Sequence, residues 1–193
     1  MNIMIAGVGG QGTVLASKLI AAAAMKKGFS VRTTETIGMA QRGGSVFGHC
    51  RIGENIFSPL IPLGKADAII AFEPAEAARQ LPYLSPDGTM IVSDNIIKPA
   101  ADPNAGSYAA APIIDYLKKN VQNLVIVDGQ QLIKEDAKTL NVAVLGAAAQ
   151  SGIFPFDVET LKEVIKEVLP QRFVEMNLRA FDLGRKTCSC GQH

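Results

Sequence analysis

Asn2-Ile3-Met4-Ile5-Ala6-Gly7-Val8-Gly9-Gly10-Gln11-Gly12-Thr13-Val14-Leu15 is the stretch that decides the fold. Its first five residues are a short apolar run closing on glycines, the pattern of a buried strand that turns into a tight loop. Residues 11–27 are alanine-rich and place Leu15, Leu19, Ile20 and Ala23 at helical spacing, and Gly28 stops the run. Strand, glycine loop and helix in that order open an α/β unit. Gly7-Val8-Gly9-Gly10-Gln11-Gly12 also satisfies G-x-G-x-x-G, in which glycines let the backbone approach a phosphate and the helix N-terminus supplies N–H donors. The same residues serve equally as a tight turn that needs glycine for packing.

Outward from this unit, residues 30–35 read as a second strand ending at Glu35, about where the ribose-binding acid of a dinucleotide site sits. Residues 45–52, the Gly53-Glu54-Asn55 turn and residues 56–58 read as a hairpin, an antiparallel insertion. Alternation resumes with a strand over 67–72, a helix over 74–81 opened by Pro74, and a strand over 89–93, these strands buried on both faces. A long connection rich in Ala and Pro over 98–112 leads to a short helix over 113–119 and a strand over 124–127. Val158, Leu161, Val164, Ile165, Val168 and Leu169 keep helical spacing behind Asp157 as N-cap, and Pro170 separates that helix from a last one reaching about Leu183. The expected fold class is α/β: three layers, α/β/α, around a mostly parallel Rossmann-like sheet with an antiparallel hairpin insertion. One domain covers 1–184, and 185–193 form a C-terminal tail.

The 193 residues carry a net charge of +1, so no field of one sign draws in nucleic acid or an anionic membrane. Charged residues are only 19%, against roughly 25% in soluble domains, which points to a surface partly covered by a partner. The uncharged first 17 residues lack the basic start of a signal peptide. Residues 139–156 are uncharged too, but Asn141, Gln150, Ser151 and Pro155 would be costly in lipid, so a buried helix is expected there. The expected location is cytoplasmic, with no membrane span. Cys50, Cys188 and Cys190 are an odd count without a disulfide framework. Cys188-Ser189-Cys190 with His193 reads as a disordered tail, and no metal site is assigned. His49 reads as a strand histidine satisfied by local hydrogen bonds.

A second glycine cluster, Gly38-Met39-Ala40-Gln41-Arg42-Gly43-Gly44-Ser45-Val46, follows strand two on the same carboxyl edge as the first loop, so both should line one crevice. An arginine between glycines can reach a carboxylate or phosphate with a bidentate fork; the same residues also read as a surface hairpin entry whose Arg42 pairs with Glu35. The two glycine loops in tandem, with His49-Cys50-Arg51-Ile52-Gly53 behind them, resemble the gamma-type subunit of 2-oxoacid:ferredoxin oxidoreductases. Ser58-Pro59-Leu60-Ile61-Pro62, Ala66-Asp67, Ala71-Phe72-Glu73-Pro74 and Leu81-Pro82-Tyr83-Leu84 are most similar to the indolepyruvate branch of that family, and the likeness runs to about Gly184.

The resemblance implies a subunit of an enzyme that decarboxylates a 2-oxoacid with thiamine diphosphate and its Mg ion. The acyl group passes to coenzyme A, and iron–sulfur clusters carry the electrons to ferredoxin. A cluster needs about four cysteines in a compact pattern and the chain has three, so no cluster is expected on this chain alone. There is no Gly-Asp-Gly segment of the thiamine type, and Gly64-Lys65 is followed by Ala66 rather than Ser or Thr. The expected partners are the thiamine- and cluster-binding subunits, with ferredoxin reached indirectly; pairing with a second copy stays open. No catalytic residue is assigned. The ligand- or partner-facing loops are Gly7, Gly9, Gly10, Gln11 and Gly12 together with Gly38, Met39, Gln41, Arg42, Gly43 and Gly44. The alternative is a stand-alone Rossmann-like protein binding NAD(P) or FAD through the first loop.

Overall fold

The computed structural model describes residues 1–36, 43–98 and 108–190, the last three as backbone. The elements are β1 (Asn2–Val8), α1 (Thr13–Lys26), β2 (Val31–Glu35), β3 (Ser45–Ile52), β4 (Ala66–Ala71), α2 (Pro74–Gln80) and β5 (Leu84–Ser93). Then come α3 (Ala110–Asn120), β6 (Asn123–Val127), α4 (Gly129–Asp136), α5 (Leu140–Gln150), α6 (Val158–Val168), α7 (Gln171–Lys186) and β7 (Cys188–Cys190). The described strands form one sheet in the order β2-β3-β1-β4-β5-β6-β7. β1, β2, β4, β5 and β6 run in one direction; β3 and β7 run against them.

The central strands β1 and β4 are buried on both faces, and the strands sort their side chains by the period of two. Ile3, Ile5, Ala68, Ile70 and Phe72 point to the layer holding α1, α5, α6 and α7. Met4, Ala6, Ile69, Ala71, Met90 and Val92 point to the layer of α2 and α3. The uncharged run folds as expected into α5, whose residues from Leu140 to Ala148 are all buried. Asp157 caps α6 by accepting the Thr160 N–H at 2.8 Å.

The hairpin departs from expectation. Residues 45–52 are the antiparallel insertion, but residues 56–58 are not a strand. The reason is that β3 already pairs with β1 on one side and β2 on the other, which leaves no free edge for a second arm. The chain after Asn55, which sits at φ 57°, is instead drawn along β3, where Arg51 Nη1 donates to the Ser58 and Leu60 carbonyls. The tail also differs: α7 continues to Lys186, and Cys188–Cys190 pair antiparallel with β6.

His49 fastens the 53–65 crossover to the sheet. Its Nδ1 accepts the Ile61 N–H at 3.2 Å, and its ring lies edge-on to Phe47 and Tyr83. Burial holds its pKa below the usual 6.5. A depressed histidine pKa contributes stability that is complete above about pH 6.5 and is lost as pH falls through the folded-state value. The denaturation midpoint should therefore drop between pH 7.5 and pH 5. Urea titrations of the wild type and His49→Gln, which keeps an acceptor but does not titrate, check this: the drop should be smaller in the variant.

Candidate functional site

The carboxyl edge of β1 brings the two glycine loops into contact. Gly9 donates its N–H to the Gly44 carbonyl at 2.8 Å, and Gly43 donates to the Gly9 carbonyl at 3.5 Å. Antiparallel pairing sets this bridge, since the register continues from Val8 opposite Ser45. Gly10 at φ 101° and Gly43 at φ 76° adopt backbone conformations that favour glycine, and a Cβ at either would meet nothing within 4 Å. Both open outward from the bridge. Gly12, at φ 78°, is the N-cap of α1 and lies against Asn141 of α5, whose Nδ2 donates to the Gly12 carbonyl at 3.2 Å.

Gln11 turns inward. Its Oε1 accepts the Val8 N–H at 2.7 Å and its Nε2 donates to the Phe72 carbonyl at 3.0 Å, lacing the end of β1 to the end of β4. A Cβ on Gly7 would lie 2.9 Å from that Oε1, so Gly7 gives the amide its room. Gly38, Met39, Gln41 and Arg42 lie outside the described residues.

Beside the bridge stands a group that the sequence reading passed over. Glu73, the N-cap of α2, and Glu76, in its first turn, are 1% and 2% exposed. Glu73 accepts the Glu76 N–H at 3.0 Å and the Tyr108 hydroxyl; Glu76 accepts the Ser45 hydroxyl at 2.5 Å and pairs with Arg79. A carboxyl group taken out of water costs free energy unless partners of this kind replace its hydration. Burial first, and then the Glu73 carboxylate, hold the Tyr108 hydroxyl protonated well above the usual tyrosine range. The signal was in Glu73-Pro74-Ala75-Glu76, an acid at the N-cap and another three residues on. Tyr108 also walls an open cavity of about 600 Å³ at the ends of β5 and β6, with Asp94, Ile114 and Gln130. Burial raises the Asp94 carboxyl, although the Gly129 N–H donates to it at 2.8 Å.

Two features bear on cofactors. Cys50 is fully buried within β3, and burial pushes its thiol up to about 12, far from the thiolate a metal or cluster requires. Among the described residues no three His, Cys, Asp or Glu side chains are grouped to hold a metal ion, and no helix is long and apolar enough to cross a membrane. The dinucleotide pattern meets a geometric obstacle. Because β3 stands between β1 and β2, Glu35 ends a strand about 10 Å from β1 instead of about 5 Å. The Gly9 N–H is also already taken by Gly44.

Fold and edge together define a Rossmann-like α/β domain whose dinucleotide crevice is occupied by a strand of its own, with a glycine bridge in its place. A family model for pyruvate ferredoxin/flavodoxin oxidoreductase matches residues 2–187, and the chain belongs to that family. The indolepyruvate oxidoreductase subunit IorB of Thermococcus kodakarensis is 38% identical over 192 residues, covering 96% of this chain and 94% of its own. The pyruvate oxidoreductase subunit PORC of Thermotoga maritima shares the fold, with a TM-score of 0.72 at 22% identity, over 100% of this chain and 98% of that one. So does 2-oxoglutarate:ferredoxin oxidoreductase from Magnetococcus marinus, solved with 2-oxoglutarate, coenzyme A and succinyl-CoA bound. Its TM-score is 0.71 at 22% identity, over 97% of this chain and 30% of that longer one.

Proposed function

We propose that this chain is the gamma-type subunit of a 2-oxoacid:ferredoxin oxidoreductase with indolepyruvate as the favoured substrate. The observation that carries the reading is 38% identity to an indolepyruvate oxidoreductase subunit along nearly the whole of both chains. In such a complex, thiamine held by a partner subunit would supply the decarboxylation chemistry, coenzyme A the acyl acceptor, and iron–sulfur clusters the route for electrons to ferredoxin. The buried, protonated Cys50 supports placing the clusters on a partner.

This chain contributes binding. The glycine bridge presents an open, side-chain-free backbone edge at Gly10 and Gly43, against which a partner surface packs closely. Arg42, in the sequence of the second loop, supplies the charge that pairs with an anion, the 2-oxoacid carboxylate or a coenzyme A phosphate. Losing one charge-assisted contact of this kind costs about 1.5–3 kcal/mol, or roughly 10- to 150-fold. Co-expression with the thiamine-binding subunit and 2-oxoacid-dependent dye reduction tests the reading. Arg42→Ala should lower kcat/KM by at least about tenfold in an assembled complex. A lone chain that binds no such subunit and gains thermal stability from NAD(P) or FAD would establish the dinucleotide alternative instead.

A further inference from the structure

We infer that Glu76 is a positioning residue for the glycine bridge, acting through Ser45, and that the corner between β4 and α2 holds both halves of the bridge. Four hydrogen bonds converge on this corner. Gln11 Nε2 donates to the Phe72 carbonyl, Ser45 Oγ to Glu76, Tyr108 to Glu73, and the Glu76 N–H to Glu73. One of them comes from the first glycine loop; another comes from the residue that directly follows Gly43-Gly44. The two loops therefore meet each other at Gly9 and Gly44 while being fastened separately to one rigid turn.

Burial makes the Ser45 contact consequential. The Glu76 side chain is 3% exposed, so its carboxylate relies on Ser45 and Arg79 in place of water. An exposed Arg–Glu pair on a helix would be worth little and would position nothing. Here the guanidinium, 60% exposed, neutralises one carboxylate oxygen from the solvent side, and the other oxygen aims at Ser45. Ser45 thereby fixes the carbonyl of Gly44 that receives the Gly9 N–H. A backbone edge recognises a partner only when its groups are preorganised, and this relay supplies the order.

The association part of this inference rests on the proposed function; the positioning part does not, and two measurements separate them. In the full chain alone, amide exchange by NMR should show the Gly9 N–H exchanging about tenfold faster in Ser45→Ala, with Glu76→Gln changed in the same direction and Ser45→Thr, which keeps the hydroxyl, close to wild type. Unchanged Gly9 exchange in Ser45→Ala overturns the inference. In the assembled complex, Ser45→Ala should weaken association with the thiamine-binding subunit by about tenfold, the loss of one hydrogen bond to a charged group, with rescue by Ser45→Thr. Loss of thermal stability without rescue by Ser45→Thr would show a merely structural contact and also overturn it. If the wild-type chain itself fails to associate, the proposed function falls, and the exchange result still decides the positioning role.

Discussion

Gly184→Ala is expected to destabilise the protein by about 3 kcal/mol or more, although alanine is the better helix former. In an open helix the exchange gains about 1 kcal/mol, because alanine loses less backbone entropy. Here the sign reverses. A Cβ on Gly184 would lie 1.8 Å from the Ala143 carbonyl oxygen, and one on Gly146 would lie 2.0 Å from the Phe181 carbonyl oxygen. The two glycines are reciprocal: each helix offers the other a bare Cα three residues from the carbonyl it receives, which lets α5 and α7 pack backbone to backbone. A methyl group cannot be absorbed by a rotamer change because the obstacle is main chain, so the helices must part and thin the contacts of Phe181, Ala143 and Ala147 in the larger core. At 193 residues, 3 kcal/mol corresponds to a Tm lower by roughly 6–12 °C. Gly146→Ala should act in the same direction. The double variant should cost less than the sum, because one separation of the helices relieves both clashes. A Tm for Gly184→Ala within 2 °C of wild type would falsify this packing.

Where sequence and structure agree, the reason is local pattern. The glycine-closed apolar run, the alanine-rich helix behind it, the Asp157 cap and the two-sided burial of β4 and β5 all arise from neighbours in the chain. The pairing of β3 is different in kind. Residues 45–52 alternate equally well whether their partner is 56–58 or 2–8, and only the sheet as a whole decides, by giving both edges of β3 to β1 and β2. The same holds at the candidate site. Adjacency of the two glycine loops was legible, because both chain segments end on one edge. The inward turn of Gln11 was not, since a polar side chain in a glycine loop reads as ligand-facing until Phe72 is placed beside it. Glu73 and Glu76 were not singled out for the same reason: their partners Tyr108 and Ser45 are distant in sequence.

Gly12→Ala should also be severe, and it joins the core to the site. Two costs add. An alanine held at φ 78°, ψ 31° sits in the left-handed region at about 1–2 kcal/mol. Its Cβ would also lie 2.3 Å from Asn141 Nδ2, which is buried and donates to the Gly12 carbonyl. Displacing that amide leaves buried polar groups short of a partner, at about 1–3 kcal/mol. The expected loss is therefore about 2–5 kcal/mol, read from urea or thermal denaturation. A double-variant cycle separates the two costs. In an Asn141→Ala background the clash is gone, so Gly12→Ala should cost only the backbone strain, and the coupling between the two positions should be at least about 1 kcal/mol. An uncoupled pair would mean that Asn141 is not what fills the space beside Gly12. The functional consequence follows from position: Gly12 begins α1 directly after Gly9, Gly10 and Gln11, so a helix start pushed off Asn141 moves the bridge as well. Gly12→Ala should therefore lower association with the proposed partner subunit beyond what its reduced stability explains.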